Sequence, residues 1–288
     1  MDIRVLKYFV MIAKEENITR ASEKLNITQP TLSRQIQDLE EEIGATLLIR
    51  GKRKVTLTDA GFLYLQRTKE ILRLVDKAER DVQNESDTVA GIVTIGCVET
   101  NAAEYLMEMV ALFMKKYPLV TFEFYNGFSD DIKEKLDLGT IDVGILIEPV
   151  EAAKYELYQL PIKERWGLIA NADDPIAKKS NISIEDILDL PLIVTNRDIV
   201  KKELESWLGH ELEELNIVAT QNLLTNTTLL LQKIRAYIVA VEGAFTIRPL
   251  ENLTFIPFSP TRETGHVLAW KKNKVFHTAV SKFIEEFK

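Results

Sequence analysis

The sequence predicts a mixed α/β chain in three parts: a small helix-rich unit closed by a basic hairpin, one long charged helix, and a two-lobed α/β region. Three observations predict it. Apolar residues recur at helical spacing up to about residue 43, and two short strand-like runs flank a basic turn at 51–54. Beyond residue 88, strand-like and helix-like segments alternate.

The first stretch, residues 3–15, places Val5, Leu6, Phe9, Val10, Ile12 and Ala13 at helical spacing, and Asn17-Ile18 breaks it. Thr19 is expected to cap a short helix over 20–25 by offering its hydroxyl to a free backbone N–H. Asn26-Ile27 turns the chain. Thr28 is expected to cap a third helix, which tolerates Pro30 in its first turn because a missing N–H costs little there. On that helix Leu32, Ile36 and Leu39 share one face, with Ser33, Arg34 and Gln37 on the other. Two short helices joined by a tight turn, the second with a polar outer face, form a helix-turn-helix pattern. Residues 47–50 and 55–57 read as two strands around the turn Gly51-Lys52-Arg53-Lys54. A basic hairpin in that place makes a wing. Thr58-Asp59 then opens a helix expected to reach about Glu85. Leu65, Ile71 or Leu72, Val75, Ala78 and Val82 alternate with opposed charges along it, the pattern of a dimerising helix.

Ser86-Asp87-Thr88 reads as a short linker. After it, strands are expected at 91–98, 120–125 and 143–147, with helices at 102–116 and 130–138 between them. Strands at 166–170 and 192–195 and helices at 184–188 and 200–208 suggest a second lobe. A strand at 265–270 and a helix at 275–287 close the chain. Such alternation argues for α/β units with parallel strands. The expected division is 1–58, 59–88 and 89–288.

Bulk properties exclude several classes. Hydrophobic residues make up 46% and charged residues 28% of the 288, enough for two or three modest domains. No apolar run approaches the ~18 residues of a membrane span, and the N-terminus lacks the layout of a secretory signal, so a cytoplasmic protein with no membrane partner is expected. Cys97 is the single cysteine, which rules out an internal disulfide and a cysteine-based zinc cluster. His210, His266 and His277 show no ligand-type spacing, and neither a metal site, a cofactor motif nor a catalytic triad is indicated. The net charge of -8 resides entirely after residue 88, because residues 1–88 carry 15 basic and 15 acidic residues. A neutral unit with a basic edge is compatible with DNA binding, which responds to local phosphate neutralisation.

Residues 18–61 carry a resemblance to a known family. The string from Ile18-Thr19-Arg20-Ala21-Ser22 through Leu25-Asn26-Ile27-Thr28-Gln29-Pro30-Thr31-Leu32-Ser33-Arg34-Gln35-Ile36 resembles the helix-turn-helix of LysR-type transcriptional regulators. It continues through Leu39 to Gly44, Leu47 to Arg50, and Leu57-Thr58-Asp59-Ala60-Gly61. The resemblance implies a linker helix that pairs subunits and two periplasmic-binding-protein-like lobes joined by two crossovers, so that one lobe takes about 89–162 plus 266–288 and the other about 163–265. It also implies a homodimer or homotetramer, double-stranded promoter DNA as partner, and a small-molecule effector, not identified by the sequence, in the cleft between lobes. A solute-binding protein would share the lobes, but the N-terminal helix-turn-helix and the missing signal peptide count against it. A regulator that works without an effector stays open. No nucleophile–base pair supports an enzyme.

The candidate DNA contacts are Thr19, Thr28, Gln29, Pro30, Thr31, Ser33 and Arg34, with Arg50, Lys52, Arg53 and Lys54 on the wing. Gln pairs bidentately with adenine and Arg with guanine, each such pair worth about 1–3 kcal/mol of discrimination, so Gln29 and Arg34 are expected to read bases. Thr28 and Ser33 suit phosphate contacts, which position without specifying; the wing cations suit the backbone or minor groove. The candidate effector residues follow three strands: Glu99, Thr100 and Asn101; Phe128 and Ser129; and Thr195, Asn196 and Arg197. Ligands of open α/β folds gather at such strand ends. Thr100 matches the position where the family places Ser or Thr against an acidic ligand, while the adjacent Glu99 repels an anion. Thr100 and Asn101 read equally as helix caps, and Arg197 reads either as an anion partner or as a surface residue. Where the family has a glycine leading into a second-lobe strand, this chain has Lys233 to Val239, and bulky Arg235 and Tyr237 are expected to narrow the cleft or touch ligand. Cys97 reads as a small buried hydrophobe.

Overall fold

The computed structural model describes residues 2–51, 54–83, 89–209 and 211–288. Lys52, Arg53, the linker 84–88 and His210 lie outside the described residues, as does the side chain of Val82. The chain forms two compact units, Met1–Gln83 and Asn84–Lys288.

In the first unit, α1 (Ile3–Glu15), α2 (Ile18–Leu25) and α3 (Gln29–Ile43) precede β1 (Leu48–Arg50), β2 (Val55–Leu57) and α4 (Asp59–Gln83). Phe9, Ile12, Ala21, Leu32, Ile36, Leu39 and Leu47 form its core. Each helix end has a chemical cause. Asn17 caps α2, its Oδ1 accepting from Arg20 N at 3.0 Å. The helix therefore starts at Ile18, and the expected cap Thr19 lies inside its first turn. Thr28 caps α3 as expected, and Gly44 ends it at φ 74°, a left-handed conformation that glycine adopts without steric cost. The wing is held to α3 by Glu40, whose Oε1 accepts from Leu47 N at 2.6 Å and Leu48 N at 2.9 Å. Thr58 opens α4, accepting from Gly61 N at 2.9 Å. Gly61 is required there, because a Cβ would meet the Leu47 carbonyl at 2.1 Å.

The second unit is built on a nine-stranded sheet. One half carries β3 (Gly91–Cys97), β4 (Val120–Asn126) and β5 (Val143–Ile147), all parallel, with α5 (Ala102–Lys116) and α6 (Ser129–Asp137) between them. The other carries β7 (Leu192–Thr195), β8 (Ile217–Gln221) and β9 (Tyr237–Val241), also parallel, with α7 (Asp198–Leu208), α8 (Leu224–Leu230) and α9 (Glu242–Thr246). The long β6 (Tyr155–Asn171) runs through both halves, and β10 (Leu253–Pro257) pairs with its far end. β11 (Glu263–Lys271) returns antiparallel to β5 and β6, and α10 (Thr278–Glu285) packs on the first half. Each half has its own apolar core, one around Ile95, Leu106, Val143 and Phe283, the other around Leu168, Leu192, Val194 and Tyr237.

The elements depart from expectation in four places. Residues 184–188 form turns, not a helix: Ile187 N bonds the Ile184 carbonyl at 3.0 Å and Leu190 N the Ile187 carbonyl at 3.1 Å, and Pro191 follows, a residue that disfavours helix in the one before it. The strand expected at 166–170 begins at Tyr155; its first half alternates charged and buried residues around Pro161 and so lacks an apolar run. The sheet is mixed, since β6, β10 and β11 pair antiparallel. The last helix begins at Thr278, leaving Val275 exposed.

Candidate functional sites

On α3, the packed face of Leu32, Ile36 and Leu39 leaves Gln29, Pro30, Thr31 and Arg34 exposed on the other side, with Ser33 half-buried. Among the described residues, Gln29 and Arg34 make no side-chain hydrogen bond or ion pair, so their donors are free. Thr28 and Thr31 are bonded to each other through their hydroxyls at 2.8 Å. The two described wing cations, Arg50 and Lys54, are engaged locally. Arg50 donates to Ser33 Oγ at 3.0 Å and lies 3.6 Å from Glu40, and Lys54 pairs with Glu16 at 2.8 Å. These exposed pairs are screened by water and salt and yield readily to a phosphate. Thr19 is exposed on α2.

In the second unit a cleft of about 770 Å³, counted to its open mouth, lies where the two halves of the sheet meet. Its walls are the carboxyl ends of the parallel strands: Val98, Glu99 and Thr100 after β3, Phe128 and Ser129 after β4, Thr195 and Arg197 after β7. Six of the eight expected positions thus come together. Asn101 and Asn196 do not line the cleft. Asn101 donates its N–H to Glu164, its side-chain oxygen accepts from Thr246 without capping α5, and Asn196 is exposed.

Arg197 is buried, contrary to the surface alternative. Its Nε donates to Asp130 Oδ2 at 3.3 Å and its Nη2 to the Pro149 carbonyl at 3.4 Å. Burial pulls its pKa down, Asp130 opposing. Asp130 resists burial in turn; bonding to Lys133 and the Arg197 charge hold its pKa low. Glu99 reaches across the mouth, accepting from Thr225 at 3.4 Å with Arg248 at 4.0 Å.

Beneath the cleft lies a group of buried polar residues. Thr100 Oγ1 bonds His266 Nε2 at 2.9 Å, and Glu164, on β6, accepts from Asn101 N at 2.7 Å and Gly243 N at 3.1 Å. One carboxylate thereby fastens the first turn of α5, in one half, to that of α9, in the other. Gly243 makes room for it, since a Cβ would stand 2.3 Å from Glu164 Oε1. Burial raises the Glu164 pKa to about 6, against the two backbone bonds, and lowers that of His266 to about 4. The imidazole at 3.9 Å from Glu164 is therefore neutral at pH 7.

Sequence reading missed the wall supplied by the second half: Trp166, Val200, Gln221, Asn222, Leu224 and Val239. The strand at 217–221 was the available signal, since its carboxyl end places Gln221 and Asn222 by the same rule that found Thr195. Arg235 and Tyr237 do not enter the cleft. Tyr237 is buried in the core and donates to Asp174 at 2.8 Å, and Arg235 bonds the same phenol at 3.0 Å. Burial, with Glu99 nearby, pushes the Cys97 thiol up to about 12, so it stays protonated as a small hydrophobe. Among the described residues no cluster suits a metal ion, and no helix is long and apolar enough to cross a membrane.

Comparison with known proteins agrees with this layout. Residues 3–62 match the model of the bacterial regulatory helix-turn-helix proteins of the lysR family, and residues 86–288 match the LysR substrate binding domain. The chain is 34% identical over 198 residues to the transcriptional regulator AlsR of Bacillus subtilis, a match covering 69% of this chain and 65% of AlsR. It is 33% identical to BsdA of the same organism, covering 75% of this chain and 74% of BsdA. The structure of full-length CbnR complexed with its target DNA superposes with a TM-score of 0.75 at 22% identity, over 100% of this chain and 99% of that one, a likeness of fold. The chain belongs to the lysR family of bacterial regulatory helix-turn-helix proteins.

Proposed function

We propose that the chain is a sequence-specific, DNA-binding transcriptional regulator of the cytoplasm whose activity is set by a small molecule bound in the cleft of residues 89–288. The observation that carries the reading is the exposed face of α3, where Gln29 and Arg34 keep all their donors free above a fully packed opposite face. A helix of this kind enters the major groove, with its N-terminal residues at the base edges. Thr19, Thr28, Pro30, Thr31 and Ser33 fit the phosphates or the edges beside them, and Arg50 and Lys54 the flanking backbone. Lys52 and Arg53 stand between these two in the sequence and are proposed to share their role. Residues 1–58 act as the reading domain and 59–88 as the helix that pairs subunits into a homodimer or homotetramer. Phe62 and Leu63, both exposed on α4, suit that pairing. The effector-binding residues are Glu99, Thr100, Phe128, Ser129, Thr195 and Arg197, in a cleft between lobes of about 89–162 with 266–288 and about 163–265.

The test is a mobility shift of the full chain on the intergenic DNA beside its gene, at one stated salt concentration. Arg34→Ala is expected to lose about 1–3 kcal/mol of preference for that DNA over random sequence, roughly 5- to 150-fold. If the parent and Arg34→Ala bound both DNAs alike, base reading by α3 would be refuted.

A further inference from the structure

The polar groups of the cleft specify the charge of what fills it. Arg197 is the basic residue of the lining, and its side chain is only 5% exposed. Its charge is already met by Asp130 at 3.3 Å, and Glu203 lies close enough to act on it as well. A carboxylate entering the cleft would lose its hydration without gaining an uncompensated cation, and desolvation of an anion is expensive unless a cation answers it. Glu99 and Glu148, both lining residues, add repulsion.

Two buried donors nevertheless lack partners: Arg197 Nη1 and Trp166 Nε1, both on residues of the lining. A buried N–H without an acceptor costs more than its bond would contribute, so these donors favour a ligand that brings acceptor oxygen. An ammonium would present donors to these donors and would be drawn instead to Glu99 and Glu148. Most of the remaining wall is apolar, including Val98, Phe128, Ile147, Val200, Leu224 and Val241.

We propose that the cleft takes an uncharged organic molecule that offers a hydrogen-bond-accepting oxygen to Arg197 and an apolar body to the rest of the wall. This rests on the reading of the cleft as the effector site. Asp130 is the specificity-determining residue, because it cancels the charge that would otherwise select a carboxylate.

Calorimetric titration of the full chain with benzamide, benzoate and benzylamine, three probes of similar size and different charge, tests it. Benzamide is expected to bind about tenfold or more tightly than either charged probe, the scale of one unanswered buried polar group. In Asp130→Asn, a change at a side chain that is 40% exposed, benzoate is expected to gain about tenfold as Arg197 loses its ion-pair partner and keeps only the influence of Glu203. Benzoate binding the parent as tightly as benzamide, no gain in Asp130→Asn, or no binding of benzamide each overturns the proposal. Ala244→Phe, which fills the cleft, separates this failure from that of the underlying reading. Benzamide binding that survives in Ala244→Phe refutes the cleft as the site. A benzoate preference abolished by Ala244→Phe leaves the cleft standing and removes only the uncharged class.

Discussion

The reading unit and the effector unit satisfy their polar groups over different distances along the chain. In the first, Asn17 and Thr28 each accept from a backbone N–H three residues on. In the second, Thr100 meets His266 across 166 residues, Glu164 meets Asn101 across 63 and Gly243 across 79, and Arg197 meets Asp130 across 67. The first kind of bond is written within one turn of helix. The second exists only after two crossovers have been made. A substitution at the first should stay local, whereas one at the second should loosen the whole effector unit.

The largest expected effect is in pH. The His266 pKa falls from 6.5 to about 4 in the fold. Its contribution to stability is whole above about 6.5 and is lost as pH falls toward 4, because the unfolded chain takes the proton first. At ~1.4 kcal/mol per pKa unit this is about 3 kcal/mol. Glu164 runs the other way. Its raised pKa of about 6 is a cost that is whole above pH 6 and relieved toward 4.5, recovering about 2 kcal/mol. Urea melts from pH 7 to 4.5, followed by tryptophan fluorescence, isolate this unit, because Trp166, Trp207 and Trp270 all lie in it. The two nearly cancel in the parent, so His266→Gln, which keeps only the Glu164 part, should gain about 2 kcal/mol of stability from pH 7 to 4.5. An unchanged slope would mean that His266 is not held neutral.

Glu164→Ala comes next. It orphans two backbone N–H groups, each costing about 1–3 kcal/mol, and removes a carboxylate whose burial costs about 2. The net expectation is a loss of about 2 kcal/mol at pH 7, read as a lower urea midpoint of the tryptophan signal with far-UV dichroism falling in step. A midpoint equal to the parent's would show that Glu164 fastens nothing.

The smallest effect belongs to the reading unit. Thr28→Ala removes the α3 cap at a cost of about 1 kcal/mol. Circular dichroism at 222 nm should register early loss of helix while the tryptophan transition keeps its midpoint. A shift of both together would break the contrast between the units.

The same contrast explains what was legible. The caps, the turn at Asn26, the packed stripe of α3 and the wing strands are set by residues one to four apart, and the sequence shows them. Even there, one cap was misassigned, because Asn17 and Thr19 offer the same chemistry two residues apart and only the start of α2 at Ile18 decides between them. Glu40 reads as part of an acidic run, yet it holds the wing through Leu47 and Leu48, seven and eight residues away. In the effector unit, strand ends pointed to Thr100, Ser129, Thr195 and Arg197 by a topological rule, with no sign of their partners. Arg235 and Tyr237 pointed the wrong way, since bulk in a sequence carries no direction.

The sequence by itself determined the helix-turn-helix, the basic wing, the alternating strands and helices, and the family, because each is encoded in short-range periodicity and hydrogen bonding. Only the tertiary structure decided that Arg197 is buried against Asp130, that Glu164 joins α5 to α9, and that both halves share the apolar wall. Those facts depend on which strand ends meet after β6 and β11 have crossed, and contacts between residues 60 to 170 apart leave no local trace along the chain.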